Sequence, residues 1–167
     1  MLRFVELQAK DFEMYARDLF SILYRNMNEI APSGSSYEED FAVWYDYNRK
    51  VMESGERKTI LFIDESIDCI AGYFQYRLEE HTLWFDEIES LEEYQGKGLI
   101  YRPLMKHLLP QLPENIAIYK AYIHKNNLRS AAILEKMKAA VVGTTSSGNS
   151  LLYCGSLADL KQWLESK

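Results

Sequence analysis

The sequence predicts a mixed α/β (α+β) fold with a central sheet of about six to seven strands flanked by helices. Three observations predict it. The element order reads βααβββαβαββ plus a short C-terminal helix. Strand signals come first as a consecutive run and then alternate with helices, which combines antiparallel and parallel neighbours in one sheet. A glycine-rich turn joins a strand to a helix. A doubly wound parallel sheet is the alternative. The 167 residues fit one domain, 1–167, with a sizeable core, and no repeat or low-complexity linker interrupts it.

The elements follow in order. Leu2 to Leu7 is strand-like. Asp11 opens a helix whose stripe is Phe12, Tyr15, Ala16, Leu19, Ile22 and Leu23. Asn26 to Ser35, with Pro32 and Gly34, reads as a loop. Ser36-Tyr37-Glu38-Glu39 has the capping-box pattern, and Phe41, Trp44, Tyr45 and Val51 continue as a second helical stripe that ends at Ser54-Gly55. Thr59 to Ile63, Cys69 to Leu78 and Thr82 to Ser90 are strands separated by the turns Asp64-Glu65-Ser66 and Glu79-Glu80-His81. Leu99 to Leu109 is a helix stopped by Pro110. Ala117 to Ile123 is a strand and Leu128 to Met137 a helix. Val141 to Thr145 and Leu151 to Tyr153 form a hairpin around Ser146–Asn149, and Leu157 to Glu165 is a terminal helix.

Composition bounds the function. At 47% hydrophobic and 26% charged residues, the chain has an ordinary globular profile. No apolar run reaches the roughly 20 residues of a membrane helix. The start, Met1-Leu2-Arg3-Phe4-Val5-Glu6, lacks the apolar stretch of a signal peptide, so a cytoplasmic location is expected. The net charge of −6 argues against nonspecific nucleic-acid binding and suits a cationic small substrate. Cys69 and Cys154 lie in apolar, strand-like sequence and are expected to be buried thiols. They have no metal-ligand spacing with His81, His107 or His124, so no metal site is expected.

Tyr94-Gln95-Gly96-Lys97-Gly98-Leu99 joins the Thr82–Ser90 strand to the following helix. Glycines let a backbone approach a ligand, and a helix N-terminus offers unpaired N–H groups and a partial positive charge. Together they suit a phosphate or pyrophosphate, with Lys97 as an added charge. The alternative is simply a tight turn. The segment is not a Walker loop, and Tyr101 stands where a dinucleotide fingerprint needs its third glycine.

This segment resembles motif A of the GCN5-related N-acetyltransferase (GNAT) superfamily, Gln/Arg-x-x-Gly-x-Gly/Ala. Gln95 and Gly98 fill the first two fixed positions; Ile100 departs from the third, where Gly or Ala is usual. Ile70-Ala71-Gly72-Tyr73-Phe74 resembles the family's third strand, with its apolar-Gly-aromatic step. Asn127-Leu128-Arg129-Ser130-Ala131-Ala132-Ile133-Leu134-Glu135-Lys136-Met137 resembles motif B, an Asn before a small residue and an amphipathic helix. The likeness runs from about Leu2 to Tyr153 and includes the element order.

The resemblance implies a GNAT-like acyl-CoA N-acyltransferase fold with acetyl-CoA as co-substrate. The backbone of Ile88, Glu89 and Ser90 would pair with the pantetheine arm. Amides from Gly96 through Tyr101, with Lys97, Gly98, Leu99 and Ile100 between, would hold the pyrophosphate, and Asn127 would bind the arm or cap its helix. Transfer would be direct attack of a primary amine on the thioester, with a base to take its proton. The usual Tyr of motif B, which acts as acid, is replaced by Leu134, or by Ile133 if Asn126 is the motif residue. Tyr153, Tyr122 and Tyr101 are the substitutes, or the thiolate leaves unassisted. Tyr122 also occupies the position where some relatives carry a basic Glu. The candidates for base are Asp86, on the strand face of Ile88 and Ser90 with Glu87 and Glu89 opposite, and His124.

The acidic run Asp86, Glu87, Glu89, Glu92 and Glu93 reads as a solvated face or as a pocket for a cationic amine. Tyr37, Trp44 and Tyr45 read as core or as the acceptor side. The functional readings are a small-molecule N-acetyltransferase, a protein N-acetyltransferase, and a catalytically weak acyl-CoA-binding sensor module. An unrelated α/β domain with a chance glycine turn is the remaining alternative. Dimers are frequent in such families, so a homodimer is a further expectation.

Overall fold

The computed structural model describes residues 1–166. Seven strands form one mixed sheet: β1 (Leu2–Glu6), β2 (Lys58–Asp64), β3 (Cys69–Glu79), β4 (Thr82–Ser90), β5 (Ile118–His124), β6 (Ala140–Thr144) and β7 (Ser150–Ser156), in the order β1-β2-β3-β4-β5-β7-β6. The helices are α1 (Phe12–Ile30), α2 (Tyr37–Glu53), α3 (Tyr101–Leu108), α4 (Leu128–Lys136) and α5 (Leu157–Glu165). The β4–β5 pairing is parallel, whereas β1–β2, β2–β3, β5–β7 and β6–β7 are antiparallel, so the sheet is mixed as the element order predicts. Two compact units divide the chain, Met1–Tyr76 with Glu87–Ile100, and Arg77–Asp86 with Tyr101 onward.

In the first unit the α1 stripe Phe12, Ala16, Leu19, Phe20 and Leu23 packs with Leu61 of β2, Tyr73 of β3 and Met52 of α2. Phe41, Trp44 and Tyr45 line the edge of this cluster, with Phe20 and Trp44 ring centroids 5.4 Å apart. The predicted loop at Asn26–Ser35 is shorter than its sequence suggests, because α1 continues to Ile30. Pro32 is the breaker: the residue before a proline is driven from the helical region, and Ala31 sits at φ −156°, ψ 82°. Ser36 then starts α2 with the predicted capping box, its side chain accepting from the Glu39 N–H while Glu39 accepts from the Ser36 N–H.

A polar cluster lies inside this unit. The fully buried Gln75 amide donates to Asn48 Oδ1 at 2.9 Å and to Thr59 Oγ1 at 3.2 Å, and Arg57 donates to Gln75 Oε1 at 3.2 Å. Asn48 donates in turn to the Trp44 carbonyl. The cluster thus joins α2 to β2 and β3 with its amides partnered, the condition for burying polar groups at low cost.

β3 bulges at Ala71, since Phe62 pairs with Gly72 and Ile63 with Ile70. Next to the bulge, a Cβ on Gly72 would stand 2.2 Å from the Glu89 carbonyl oxygen and 2.8 Å from Ser90 Cα. Only glycine fits there.

In the second unit β5 pairs along its whole length with β7, from Ile118↔Ser156 to His124↔Ser150. β7 outlasts the predicted Leu151–Tyr153 because Gly155 leaves room for the Tyr119 ring, whose atoms would lie 2.5 Å from a Cβ. Tyr119 in turn donates to the Met137 carbonyl at 2.6 Å, fixing the end of α4. Arg102 of α3 sits over the Trp163 ring of α5 at 4.4 Å and donates to the Leu164 and Ser166 carbonyls. α3 starts at Tyr101 rather than Leu99, because Gly98 has a left-handed backbone (φ 71°). It ends at Leu108 in a single 3-10 turn, Leu109–Gln111, in which Pro110 sits in the first turn, where its missing N–H costs nothing.

Gly72→Ala is expected to lower stability by about 1–3 kcal/mol through forced backbone displacement. Gly143→Ala, whose new Cβ would meet Leu152 at an ordinary 3.9 Å, stays within about 0.5 kcal/mol of the parent. Urea unfolding of both variants checks the contrast, and equal midpoints would contradict it.

Candidate functional site

The end of β4 is built from the Gly72 contact outward. The Leu91 N–H donates to the Ala71 carbonyl at 2.9 Å, and the Glu89 carbonyl also faces β3. Strand alternation therefore turns the Ser90 backbone to the opposite edge. There its carbonyl accepts from Asn26 Nδ2 at 3.1 Å and from Gln95 Nε2 at 2.8 Å. Gln95, expected at the cofactor, thus uses its side chain to tie the glycine loop to the strand.

Glu87 and Glu89 are two residues apart and share a strand face. The wholly buried Tyr73 donates its hydroxyl hydrogen to Glu87, and Asn26 of α1 donates to Glu89 Oε2 at 2.6 Å. Burial, and then the neighbouring Glu87 charge, push the Glu89 carboxyl up to about 8, against the opposing pull of the Asn26 hydrogen bond. Burial, followed by Glu87 and Glu89, raises the Tyr73 hydroxyl well above its ordinary value. The solvated-face reading of the acidic run fails here: Glu87 and Glu89 are half-buried and hydrogen-bonded, whereas Glu92 pairs with Arg25 at the surface.

From Gln95 the chain enters the loop. Gly96 and Gly98 both have left-handed φ, 72° and 71°, and a Cβ on either would meet nothing within 4 Å. Glycine is needed here for backbone conformation, and the space beside the loop is open. Gly96, Lys97, Gly98 and Leu99 are exposed, while Ile100 is buried at 5%. The residue that departs from motif A therefore faces the protein interior and anchors the loop. Between Glu92 and Tyr94 lies a 3-10 turn with no counterpart in the sequence reading. Tyr94 donates to Asp64 Oδ2 at 2.7 Å, and its hydroxyl lies 4.0 Å from Cys69 Sγ. Both cysteines are free thiols and half-buried, less enclosed than expected; Cys69 is the first residue of β3. A groove of about 680 Å³ runs beside α1, with Ile22, Ile63, Ile70, Leu91, Asp18 and Asp68 among its lining.

In the second unit Asp86 is 10% exposed and accepts from Arg77 Nε at 3.1 Å. The Arg77 guanidinium and the Lys120 ammonium lie over the Trp84 ring at 4.6 and 5.5 Å. Tyr122, half-exposed at 50%, stacks on the same ring at 5.8 Å. Asp86 and Tyr122 thus belong to one surface cluster around Trp84. His124 Nδ1 accepts from the Asn126 N–H at 3.1 Å. Tyr153 is buried and pairs with Ala121 on β5, three residues before His124. Asn127 caps α4, accepting from the Ser130 N–H at 3.1 Å, and Leu134 is buried. Among the described residues no group of three or more His, Cys, Asp or Glu is arranged to hold a metal, and no helix is long and apolar enough to cross a membrane.

Neither a family model nor a curated protein matches the sequence. Solved structures match the fold over nearly the whole chain. A PaiA N-acetyltransferase from Thermoplasma acidophilum, in complex with coenzyme A, superposes with a TM-score of 0.72 at 14% identity, covering 93% of this chain and 99% of its own. An acetyltransferase from Thermus thermophilus gives 0.70 at 16% identity, covering 94% and 97%. A spermidine N-acetyltransferase from Vibrio cholerae, in complex with CoA and spermine, gives 0.65 at 14% identity, covering 96% and 98%. The chain has the GNAT acetyltransferase fold, as its motif order implies.

Asn26→Ala removes donors to both Glu89 and Ser90. It is expected to cost about 1–3 kcal/mol in urea unfolding at neutral pH, and to raise the Glu89 titration above its parent value of about 8. Carboxyl ¹³C NMR reads the second effect; an unmoved titration would contradict the assignment.

Proposed function

We propose that the chain is an acetyl-CoA-dependent N-acetyltransferase that acylates a primary amine of a small molecule. One observation carries this reading: an acetyltransferase fold in which the Gln95–Ile100 loop holds two left-handed glycines beside open space, immediately before α3. Backbone N–H groups at the start of a helix favour phosphate oxygens. Gly96, Lys97, Gly98, Leu99, Ile100 and Tyr101 would hold the pyrophosphate, and Lys97 is exposed enough to add its charge. Ile88, Glu89 and Ser90 would bind the pantetheine arm through outward backbone groups. The Ser90 carbonyl already has two donors, which leaves its N–H as the contribution. Asn127 would add to its capping role a contact to the arm.

Acetyl-CoA supplies the acetyl group as a thioester when bound. The protein must then accept a proton from the amine and stabilise the departing sulfur. Tyr122 is the most accessible of the proposed acids, while Tyr153 is buried. A free thiol has a pKa of about 8.5, so the thiolate is also able to leave without an acid. Of the proposed bases, Asp86 is held by Arg77 and His124 keeps one ring nitrogen engaged by Asn126. The amine class draws support from the spermidine enzyme among the similar folds, and the chain's −6 charge agrees with a cationic acceptor. A second reading, an acyl-CoA-binding sensor, is favoured by the buried Leu134 in place of the usual acid.

Acetyl-CoA at about 100 times its Kd is expected to stabilise the protein by about 2.7 kcal/mol, read as a raised Tm. Gly98→Val strains a left-handed backbone and should abolish that shift; retention of the full shift would sink the cradle. Thiol release on an amine panel that includes spermidine separates the transferase, which turns over, from the sensor, which does not.

A further inference from the structure

We infer that Tyr94 is a positioning residue for the glycine loop: its hydroxyl, held by Asp64 at the β2–β3 turn, orders the backbone that meets acyl-CoA. The inference rests on the transferase reading and deepens it, by naming what holds the proposed cradle in place.

The loop needs such a hold. Gly96, Lys97, Gly98 and Leu99 are exposed, and the two glycines have no side chain with which to pack. Glycine also has the most backbone freedom to lose. A ligand that had to order this stretch itself would bind more weakly by that entropy. The holds therefore lie on either side of it. Ile100 is buried behind the stretch, and Tyr94 and Gln95 are fixed in front of it.

Tyr94 is held at both of its ends. At the backbone, its N–H donates to the Leu91 carbonyl at 3.0 Å, and the Gln95 N–H donates to the Glu92 carbonyl at 3.0 Å. These bonds close the 3-10 turn Glu92–Tyr94, which Leu91 attaches to β3 through Ala71. At the far end of the ring, the hydroxyl donates to Asp64 Oδ2 at 2.7 Å. Asp64 is the last residue of β2, thirty residues away in sequence. Its other oxygen, Oδ1, accepts from the Ser66 N–H at 2.9 Å and the Ser66 hydroxyl at 2.6 Å. One carboxylate thus closes the β2–β3 turn with one oxygen and holds the approach to the glycine loop with the other. The Ser66 hydroxyl, followed by Tyr94, lowers the Asp64 carboxyl to about 2, and the amino terminus of Met1 adds a smaller pull the same way. Asp64 therefore stays an ionised acceptor at ordinary pH. The Asp64 hydrogen bond, and then burial, raise the Tyr94 hydroxyl above its usual value, so it stays a donor. Cys69 Sγ, 4.0 Å from the same hydroxyl, is the other titratable group beside it.

Tyr94→Phe keeps the ring and removes only the bond to Asp64. Two measurements on it test the inference. The first needs no ligand. The Gly96 and Gly98 N–H order parameters from ¹⁵N relaxation are expected near the rigid value of about 0.85 in the parent and below about 0.7 in Tyr94→Phe. Equal values in the two proteins would overturn the strut. The second is titration with coenzyme A. Tyr94→Phe is expected to bind it about five- to tenfold more weakly, within the range of one hydrogen bond to a charged group. Asp64→Ala should weaken binding similarly in the parent but by less than about twofold in Tyr94→Phe, because the two act as one unit. With the best amine of the panel, the acetyl-CoA KM should rise by the same factor in Tyr94→Phe, with kcat and the amine KM within about twofold of the parent. A purely structural bond would lower the urea midpoint and leave coenzyme A affinity unchanged. That result, or additive losses in the double variant, would overturn the positioning role. Failure of the parent to bind coenzyme A would instead strike the transferase reading, while the order parameters still decide whether Tyr94 holds the loop.

Discussion

The backbone of Gly72 lies against that of Glu89 and Ser90, and much of the first unit depends on that contact. A Cβ at Gly72 would overlap the Glu89 carbonyl. With the side chain absent, β3 and the end of β4 close together beside the Ala71 bulge. Ser90 then presents its carbonyl outward, where Asn26 and Gln95 both reach it. Gln95 leads directly into the glycine loop, so the loop's position is inherited from the strand contact. The Glu87 and Glu89 side chains are fixed by the same alternation.

Two polar groups of similar size inside this unit behave differently. Asn48, Gln75 and Thr59 are almost fully buried, neutral and mutually hydrogen-bonded. Such a cluster fixes the α2 orientation, and these three side chains carry no charge of their own. Glu87 and Glu89 are half-buried carboxyl groups; Tyr73 donates to the first, and at the second the Asn26 hydrogen bond only partly offsets the cost of burial. The residual cost appears as a raised Glu89 titration. Groups poised in this way are commonly functional, and structural networks usually are not.

Much of this was legible in the sequence. The β3 and β4 spans, the Ser36 capping box, the α5 helix and the mixed sheet all follow from local patterns of alternation, capping and turns. The extension of α1 to Ile30 was hidden because Asn26 and its neighbours are polar; the Asn26 side chain is used at β4, a partnership no local pattern reveals. The glycine loop and its departure from motif A at Ile100 were visible, but the burial of that side chain needed the structure. Glu87 and Glu89 were visible as members of an acidic run on one face. Their burial and the Tyr73 donor come from residues distant in sequence, so the run read either as a solvated face or as a pocket. Asp86, a candidate base in the sequence, is held by Arg77 across the hairpin.

The transfer of an isotopically labelled acetyl group from acetyl-CoA to an amine, followed by mass spectrometry, tests the central claim most directly. The account predicts labelled N-acetylated amine with release of an equal amount of CoA thiol, dependent on the protein. Binding of acetyl-CoA with no labelled amine from a broad panel would contradict it and leave the fold as an acyl-CoA sensor.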